Sequence, residues 1–430
     1  MNFFINAARQ NKDFSRLEKY LNGNNPLPAL VTGVSAIHKA HFIAGLLGGE
    51  SARKTVVVMK NESDAVKLCA DINMLLGENA ALLCPEKEMI LADTEASSKE
   101  YEHKRINALS ALIAGKCRAI VCSASAAIQL TIPPEELQSH TFEISCGDEI
   151  DKNELVQKLI SAGYSRASQI DGNGQFSVRG GMVDVFPPSS DVPFRMEFFG
   201  DEIDSLGQFD LESQRRTESL DKIVISPARE TLFESGDVLC EKIEALSKKL
   251  RGKSAEKVRE RLEKDVQKIK DGGFPSNIDR YFPLCYDTEA TVFDYAESVF
   301  VCENTAVREG VRAASLQHSE DLKILLDEAK ICKGIDRFML TKNEAAAVIK
   351  EKTRVYFESF LSGGGLELGI SVNVGDAVQT ASWSGEYKIL EDEMRGLLEK
   401  NYCCFIFAGT KKGAQNLAED LRDDGFPADF

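Results

Sequence analysis

The sequence predicts an α/β protein: a parallel-sheet domain of nucleotide-binding type with a degenerate phosphate loop, interrupted by an inserted α+β domain and followed by a small α/β domain. Three observations predict it. Short apolar runs alternate with helical runs over the first 125 residues. Gly33 and Lys39 stand at phosphate-loop separation where the first strand meets the first helix. Near Ser125 the character changes, and a β-rich stretch punctuated by Gly180-Gly181 and Pro187-Pro188 follows.

The elements follow in order. "ALVTGV", "KTVVVMK", "AALLCP" and "CRAIVCSA" read as short buried strands. Between them lie helical segments at 36–47, 62–76 and 98–115, the last with Leu109, Leu112 and Ile113 at helical spacing and Gly115 as a cap. Such alternation means a parallel sheet covered on both faces, so residues 1–125 form the first part of the α/β domain. The inserted domain is expected over 126–213. It holds a strand, a helix with Leu155, Leu159 and Ile160 on one face, and "FRMEFF", where Phe194, Met196 and Phe198 alternate with Arg195, Glu197 and Phe199. Residues 214–350 return to the first domain, with "SVFVC" adding a strand to its sheet. The glycine run 363–365 marks a boundary, and 351–430 reads as a separate segment of helix, buried strand and helix. A lone β-α pair completes no sheet, so the chain is expected to be a piece of a longer protein.

Bulk properties narrow the function. A chain of 430 residues exceeds one ordinary core, and 43% hydrophobic with 28% charged residues predicts a folded protein. There is no apolar run of about 18 residues, and "MNFFINAARQNKDF" has no signal-peptide design, so the expectation is cytoplasmic with no membrane partner. Eleven cysteines, scattered and without C-x-x-C spacing, read as buried thiols; the five histidines form no ligand spacing with them, so no metal is expected. A net charge of −16 disfavours DNA binding as the main task, because phosphate contacts carry most of that affinity. Residues 241–271 carry 11 Lys/Arg against 7 Asp/Glu, but Val258, Leu262, Val266 and Ile269 make this an amphipathic helix with a solvated charged face.

The phosphate loop lacks half its chemistry. Against G-x-x-x-x-G-K-[ST], His38 replaces the glycine that lets backbone approach phosphate, and Ala40 replaces the hydroxyl that ligates magnesium. Lys39 persists and reads as a solvated helix residue. A working ATPase of helicase type and a non-catalytic binding module are the competing classes.

"GQFSVRGGMVDVFPPSSDVPFRMEFFGDEIDSLGQFDLESQR" decides between them. Its small-residue turn after Arg, Asp-hydrophobic-Phe-Pro, Arg-x-x-Phe-Phe, Asp-Glu-Ile, Phe-Asp and Gln-Arg resemble the module shared by the excision-repair protein UvrB and the bacterial transcription-repair coupling factors, the Mfd family. "CPEKEMILADTEASSKEYEHKRINALSAL" is similar to that family's Pro-Glu and Ser…Lys-Arg-Ile segments, and similarity extends over most of residues 25–430. UvrB keeps an intact phosphate loop and a tyrosine-rich hairpin; the space between 60 and 98 is too short for one and has no tyrosine. The resemblance therefore points to the coupling factors and a UvrB-like degenerate domain.

That resemblance carries further expectations. In "FVCEN", Cys302 stands where a magnesium-binding Asp belongs and only Glu303 remains. The degenerate site then comprises Gly33, His38, Lys39, Ala40, Cys302 and Glu303, with no catalytic residue and no cofactor; ATP and magnesium belong to a motor beyond residue 430. The implied partner is UvrA, bound through Arg179, Arg195, Phe199 and, less centrally, Glu197. Alternation alone leaves Phe199 open between core residue and exposed anchor; with the resemblance, it pairs with Arg195 as an anchor of hot-spot type. RNA polymerase and DNA would be reached through other domains, and an intramolecular contact with the far carboxy-terminal region would mask the docking surface.

Overall fold

Val, Ile and Leu fill the opening strands without polar alternation because helices cover both faces of the sheet they form. The computed structural model describes residues 11–23, 25–49, 52–87, 98–252, 255–271, 273, 275, 277–360, 367–374, 385–406 and 408–430. Strands β1 (Ala29–Thr32), β2 (Thr55–Met59), β3 (Ala81–Cys84) and β4 (Ala119–Ser123) are joined by helices Ala36–Leu47, Glu62–Leu76 and Glu100–Ile113. Asn61 caps the second helix by accepting from the Asp64 amide at 2.9 Å.

The chain then leaves this sheet and comes back. β5 (Phe142–Ser145) opens the insertion, and helix Lys152–Ser161 follows, capped by Asp151. β6 (Ser165–Arg166), β7 (Gln175–Arg179), β8 (Met182–Phe186), β9 (Phe194–Phe199), β10 (Glu202–Phe209) and β11 (Arg216–Ser219) form one sheet in the order β11-β10-β9-β8-β7-β6. β12 (Lys222–Ile225) then pairs antiparallel with β5, Ile225 opposite Phe142, so the strands leading out and back lie side by side. One face of the larger sheet buries Phe176, Val183, Val185, Phe194, Met196 and Leu206 against Leu155 and Leu159 of the helix. The insertion thus runs over 142–225 rather than 126–213. Hydrophobic alternation does not reveal the ladder that assigns β11 and β12 to it, and helices Ala124–Ile128 and Pro134–Ser139 at the front edge contribute to the core of the first sheet.

β13 (Ser298–Cys302), β14 (Thr353–Glu358) and β15 (Ile370–Asn373) complete the first sheet in the order β15-β1-β14-β13-β2-β4-β3, every pairing parallel. "SVFVC" is a strand of this sheet, as expected. The boundary expected at 350/351 is corrected: β14 lies between β1 and β13, at the centre of the sheet, and the chain divides into compact units after Gly375. The glycine run 363–365 lies outside the described residues. Alternate residues fall on opposite faces: Val56, Val58, Ile120 and Val299 in one core, Val57, Val121, Phe300 and Phe357 in the other.

The charged region near 255 is two helices, Gly236–Lys249 and Ala255–Lys270, and Val258, Leu262, Val266 and Ile269 are all buried. In the unit beyond Gly375, helices Tyr387–Glu399 and Lys411–Asp423 pack Leu390 and Met394 against Leu421 and Phe426. Among the described residues the strand expected between them is not seen: residues 402–406 have no ladder partner there, and Tyr402 and Phe405 are exposed. A strand exists only through its neighbour's hydrogen bonds. Among the described residues no helix is long and apolar enough to cross a membrane.

A buried charge cluster ties the insertion's return to the first domain. Arg105 donates from Nε to Glu230 Oε1 at 2.7 Å, and both side chains are fully buried. Glu230 also accepts from Thr131 Oγ1 at 3.0 Å, while Glu102 accepts from the Glu230 amide and from Lys87 Nζ, each at 2.9 Å. Arg105 is the arginine of the Lys-Arg-Ile segment.

Candidate functional site

Two places gather the residues expected to matter. The first lies at the carboxyl ends of β1, β14 and β13, where open α/β sheets bind ligands. Gly33 ends the strand with φ 78°, a left-handed conformation that frees the chain to turn into helix Ala36–Leu47. His38 Nδ1 lies 3.2 Å from Ser35 Oγ, and burial, then neighbouring His41, pulls its pKa down. Ala40 is buried in the core.

Lys39 departs from expectation. It is not a solvated helix residue but is 6% exposed. Its ammonium pairs with Glu303 Oε1 and donates to Ser359 Oγ at 2.9 Å. Glu303, just past β13 with φ 60°, also accepts from the Ser359 amide at 2.9 Å. Burial opposes its ionisation, but the hydrogen bonds from Lys39 and Ser359 outweigh that and hold it below the usual carboxylate range. The cause of the departure is tertiary: β14 brings Ser359 beside Lys39 of helix Ala36–Leu47 and Glu303 after β13, segments far apart in sequence. Cys302 points into the apolar core, where burial pushes its thiol up to about 12. The group that would meet a phosphate is therefore already neutralised by the chain itself. Among the described residues no cluster of three His, Cys, Asp or Glu side chains is placed to hold a metal ion.

The second place is the open face of the inserted sheet. β9 pairs with β8 so that Asp184 lies opposite Arg195, and Met182 opposite Glu197. Asp184, nearly inaccessible, accepts from Arg195 Nε at 2.7 Å and Nη2 at 3.0 Å, and from Arg179 Nη2 at 2.7 Å. Arg195 Nη1 donates to the Gln214 carbonyl at 3.0 Å, and its guanidinium carbon lies 4.3 Å from the centroid of the Phe209 ring. Glu197 accepts from Ser205 Oγ at 2.9 Å. Phe199, at the end of β9 before Gly200 (φ 68°), is 79% exposed.

Residues 142–230 match the UvrB interaction domain family. Over 95% of its length the chain is 25% identical to the transcription-repair-coupling factor of Bacillus subtilis, covering 36% of that protein. The Staphylococcus aureus coupling factor is 22% identical over the whole chain, covering 37% of that protein. The Haemophilus influenzae coupling factor is 30% identical over 71% of the chain, a match that covers 26% of that protein. The chain is similar to the transcription-repair-coupling factors. It spans about a third of the length of these curated relatives.

Arg179, Arg195, Glu197 and Phe199 all fall within the UvrB interaction domain, and the register places Arg195, Glu197 and Phe199 on one face as their alternation predicts. Their roles differ from expectation in one respect. The Arg195 side chain is only 12% exposed, because Asp184 and Phe209 hold it against the sheet, whereas that of Arg179 is 38% exposed. Arg195 and Phe199 therefore do not form one accessible anchor; Phe199 and the half-exposed Arg179 are accessible on this face. Sequence reasoning passed over Asp184, Phe209 and Gln214. The signal was present in the Asp-hydrophobic-Phe-Pro, Phe-Asp and Gln-Arg parts of the quoted motif, but spacing alone gives them no partner.

Proposed function

We propose that this chain is a docking module that binds UvrA through the open face of its UvrB interaction domain. On this reading it serves transcription-coupled nucleotide excision repair in the cytoplasm, as the front part of a coupling factor that brings UvrA to a stalled RNA polymerase. The ATP-driven translocase, and the contacts with polymerase and DNA, would lie in domains outside these residues, and a carboxy-terminal region would mask the docking face. The observation that carries the reading is Phe199: a phenylalanine 79% exposed, at the edge of a charged, hydrogen-bonded sheet face. Aromatic and arginine side chains are enriched among the residues that carry binding energy at interfaces, and this face presents both Phe199 and the half-exposed Arg179.

This reading assigns the chain no catalysis and no cofactor. It is supported by the engagement of Lys39 with Glu303 and Ser359, and by the absence of magnesium-ligating groups at Ala40 and Cys302. A triphosphate would have to displace an internal carboxylate to reach the lysine.

Titration of the purified chain with UvrA, by calorimetry, tests the docking. Phe199→Ala should weaken binding by about tenfold or more with an unchanged circular-dichroism spectrum; binding equal to the parent's refutes the reading. A fluorescent ATP analogue tests the rival. Saturable, magnesium-dependent binding lost in Lys39→Ala would favour a working ATPase.

A further inference from the structure

One motif is not absorbed by the proposed docking: Phe209-Asp210 followed by Gln214-Arg215. The structure shows what it builds. Asp210 Oδ1 accepts from the Ser213 amide at 2.8 Å and from Ser213 Oγ at 2.7 Å, closing a tight turn after β10. The Gln214 amide donates back to the Asp210 carbonyl at 2.8 Å, and the Asp210 amide donates to the Arg215 carbonyl at 2.9 Å. This turn holds Gln214 with φ 58°, a left-handed conformation that a glutamine adopts at a cost.

That backbone directs the Gln214 side chain over the sheet. Its Nε2 donates to the Leu211 carbonyl at 2.8 Å, which fixes the amide orientation and turns Oε1 toward the arginines. Oε1 accepts from Arg179 Nη2 and from Arg195 Nη2, each at 3.3 Å. Arg195 has two further partners in Asp184 and Phe209. Arg179 has only Asp184 besides, through the same Nη2 atom, and its Nε is buried without a partner. Nη1 of Arg179 makes no hydrogen bond among the described residues, so the outer edge of that guanidinium is the part left to a ligand.

We propose that Gln214 is a positioning residue: its side-chain carbonyl, set by the Asp210 turn, holds the Arg179 guanidinium so that its Nη1 edge receives a carboxylate of the docked protein. This rests on the reading that the face binds UvrA, and it adds which group is aimed, by what, and at which chemistry. Arg179 would otherwise pivot about its single bonded nitrogen, and ordering it on binding would cost rotamer entropy. Fixing the guanidinium in advance removes that cost and keeps its geometry matched to a carboxylate.

The test is a double-mutant cycle on UvrA binding by the full chain, with thermal melting of every variant. Gln214→Met, which keeps side-chain length without the acceptor, should weaken binding about tenfold. Gln214→Glu restores an acceptor and should bind within about threefold of the parent. Arg179→Ala with Gln214→Met should bind no more weakly than Arg179→Ala alone, because Gln214 acts through Arg179. If the two changes add, or if Gln214→Met binds like the parent, the positioning role is overturned. If Gln214→Met melts too early to titrate, the rescue by Gln214→Glu, measured against Arg179→Ala, decides the same question. Should Phe199→Ala and Arg179→Ala both bind UvrA as the parent does, the docking reading itself has failed, which is a separate outcome.

Discussion

Arg195 lies against the ring of Phe209, 4.3 Å from guanidinium carbon to ring centroid, while its Nε and Nη2 grip the buried Asp184. This arginine is committed within the sheet. Arg195→Ala leaves the buried Asp184 carboxylate with Arg179 as its one side-chain donor among the described residues and should cost about 2–3 kcal/mol. Arg179→Ala removes a half-exposed partner and should cost about 1 kcal/mol or less. Urea denaturation of the two variants ranks them; the reverse order would mean that Arg195 is the freer residue.

Phe199 should behave in the opposite way. With its ring in solvent, Phe199→Ala is expected to change stability by less than about 0.5 kcal/mol. A loss several times larger, in the same denaturation experiment, would show that the ring packs into a core.

Gly207 stands opposite Arg195 on β10. A Cβ there would collide with the Glu218 carbonyl and lie 2.5 Å from Arg216 Nε. Gly207→Ala should therefore destabilise the insertion by about 1–3 kcal/mol, and it should disturb the irregular β10–β11 pairing at Gln208/Phe209 that presents the Phe209 ring. Amide hydrogen exchange in β10 and β11 would locate the damage.

The Lys39–Glu303 pair makes acid stability predictable. Glu303 sits below its ordinary value of 4.5 in the fold, so its contribution is fully present above that pH and is lost as pH falls through the lowered value. Glu303→Gln should flatten that part of the acid unfolding curve. Glu358, pushed up chiefly by burial, contributes with the opposite sign, so the comparison must be made on the same background. Since Glu303 is about a third exposed, the effect should be about 1 kcal/mol or less. A variant curve superimposable on the parent's below pH 4.5 contradicts the assignment.

Arg105 and Glu230 are inaccessible to water, and removing either strands a charge. Arg105→Met is expected to cost about 3–5 kcal/mol, and Glu230→Gln, which retains an acceptor, less. Melting curves read both. Because Glu230 closes the return from the insertion, limited proteolysis should cut Arg105→Met near residues 226–231 before it cuts the parent.

Much of this fold was legible in the chain. The four opening strands, the three helices between them and the strand at 298–302 were readable because apolar runs bounded by caps are local signals, set by burial on both faces. The alternation in β9 likewise predicted which side chains share a face. The outcome for Arg195 was not legible, because Asp184, Phe209 and Gln214 meet it only through strand pairing. For the same reason Lys39 read as a surface residue: its partners lie 264 and 320 positions away.

Local chemistry in the sequence by itself determined the α/β alternation, the degraded phosphate loop and the motif that marks the inserted domain. The tertiary structure alone decided that Lys39 is neutralised from within, that β14 lies at the centre of the first sheet, and which arginine faces outward. The physical reason is range. Periodicity and capping act over a turn or a strand, whereas the burial of a charge depends on which distant segment supplies its counter-charge.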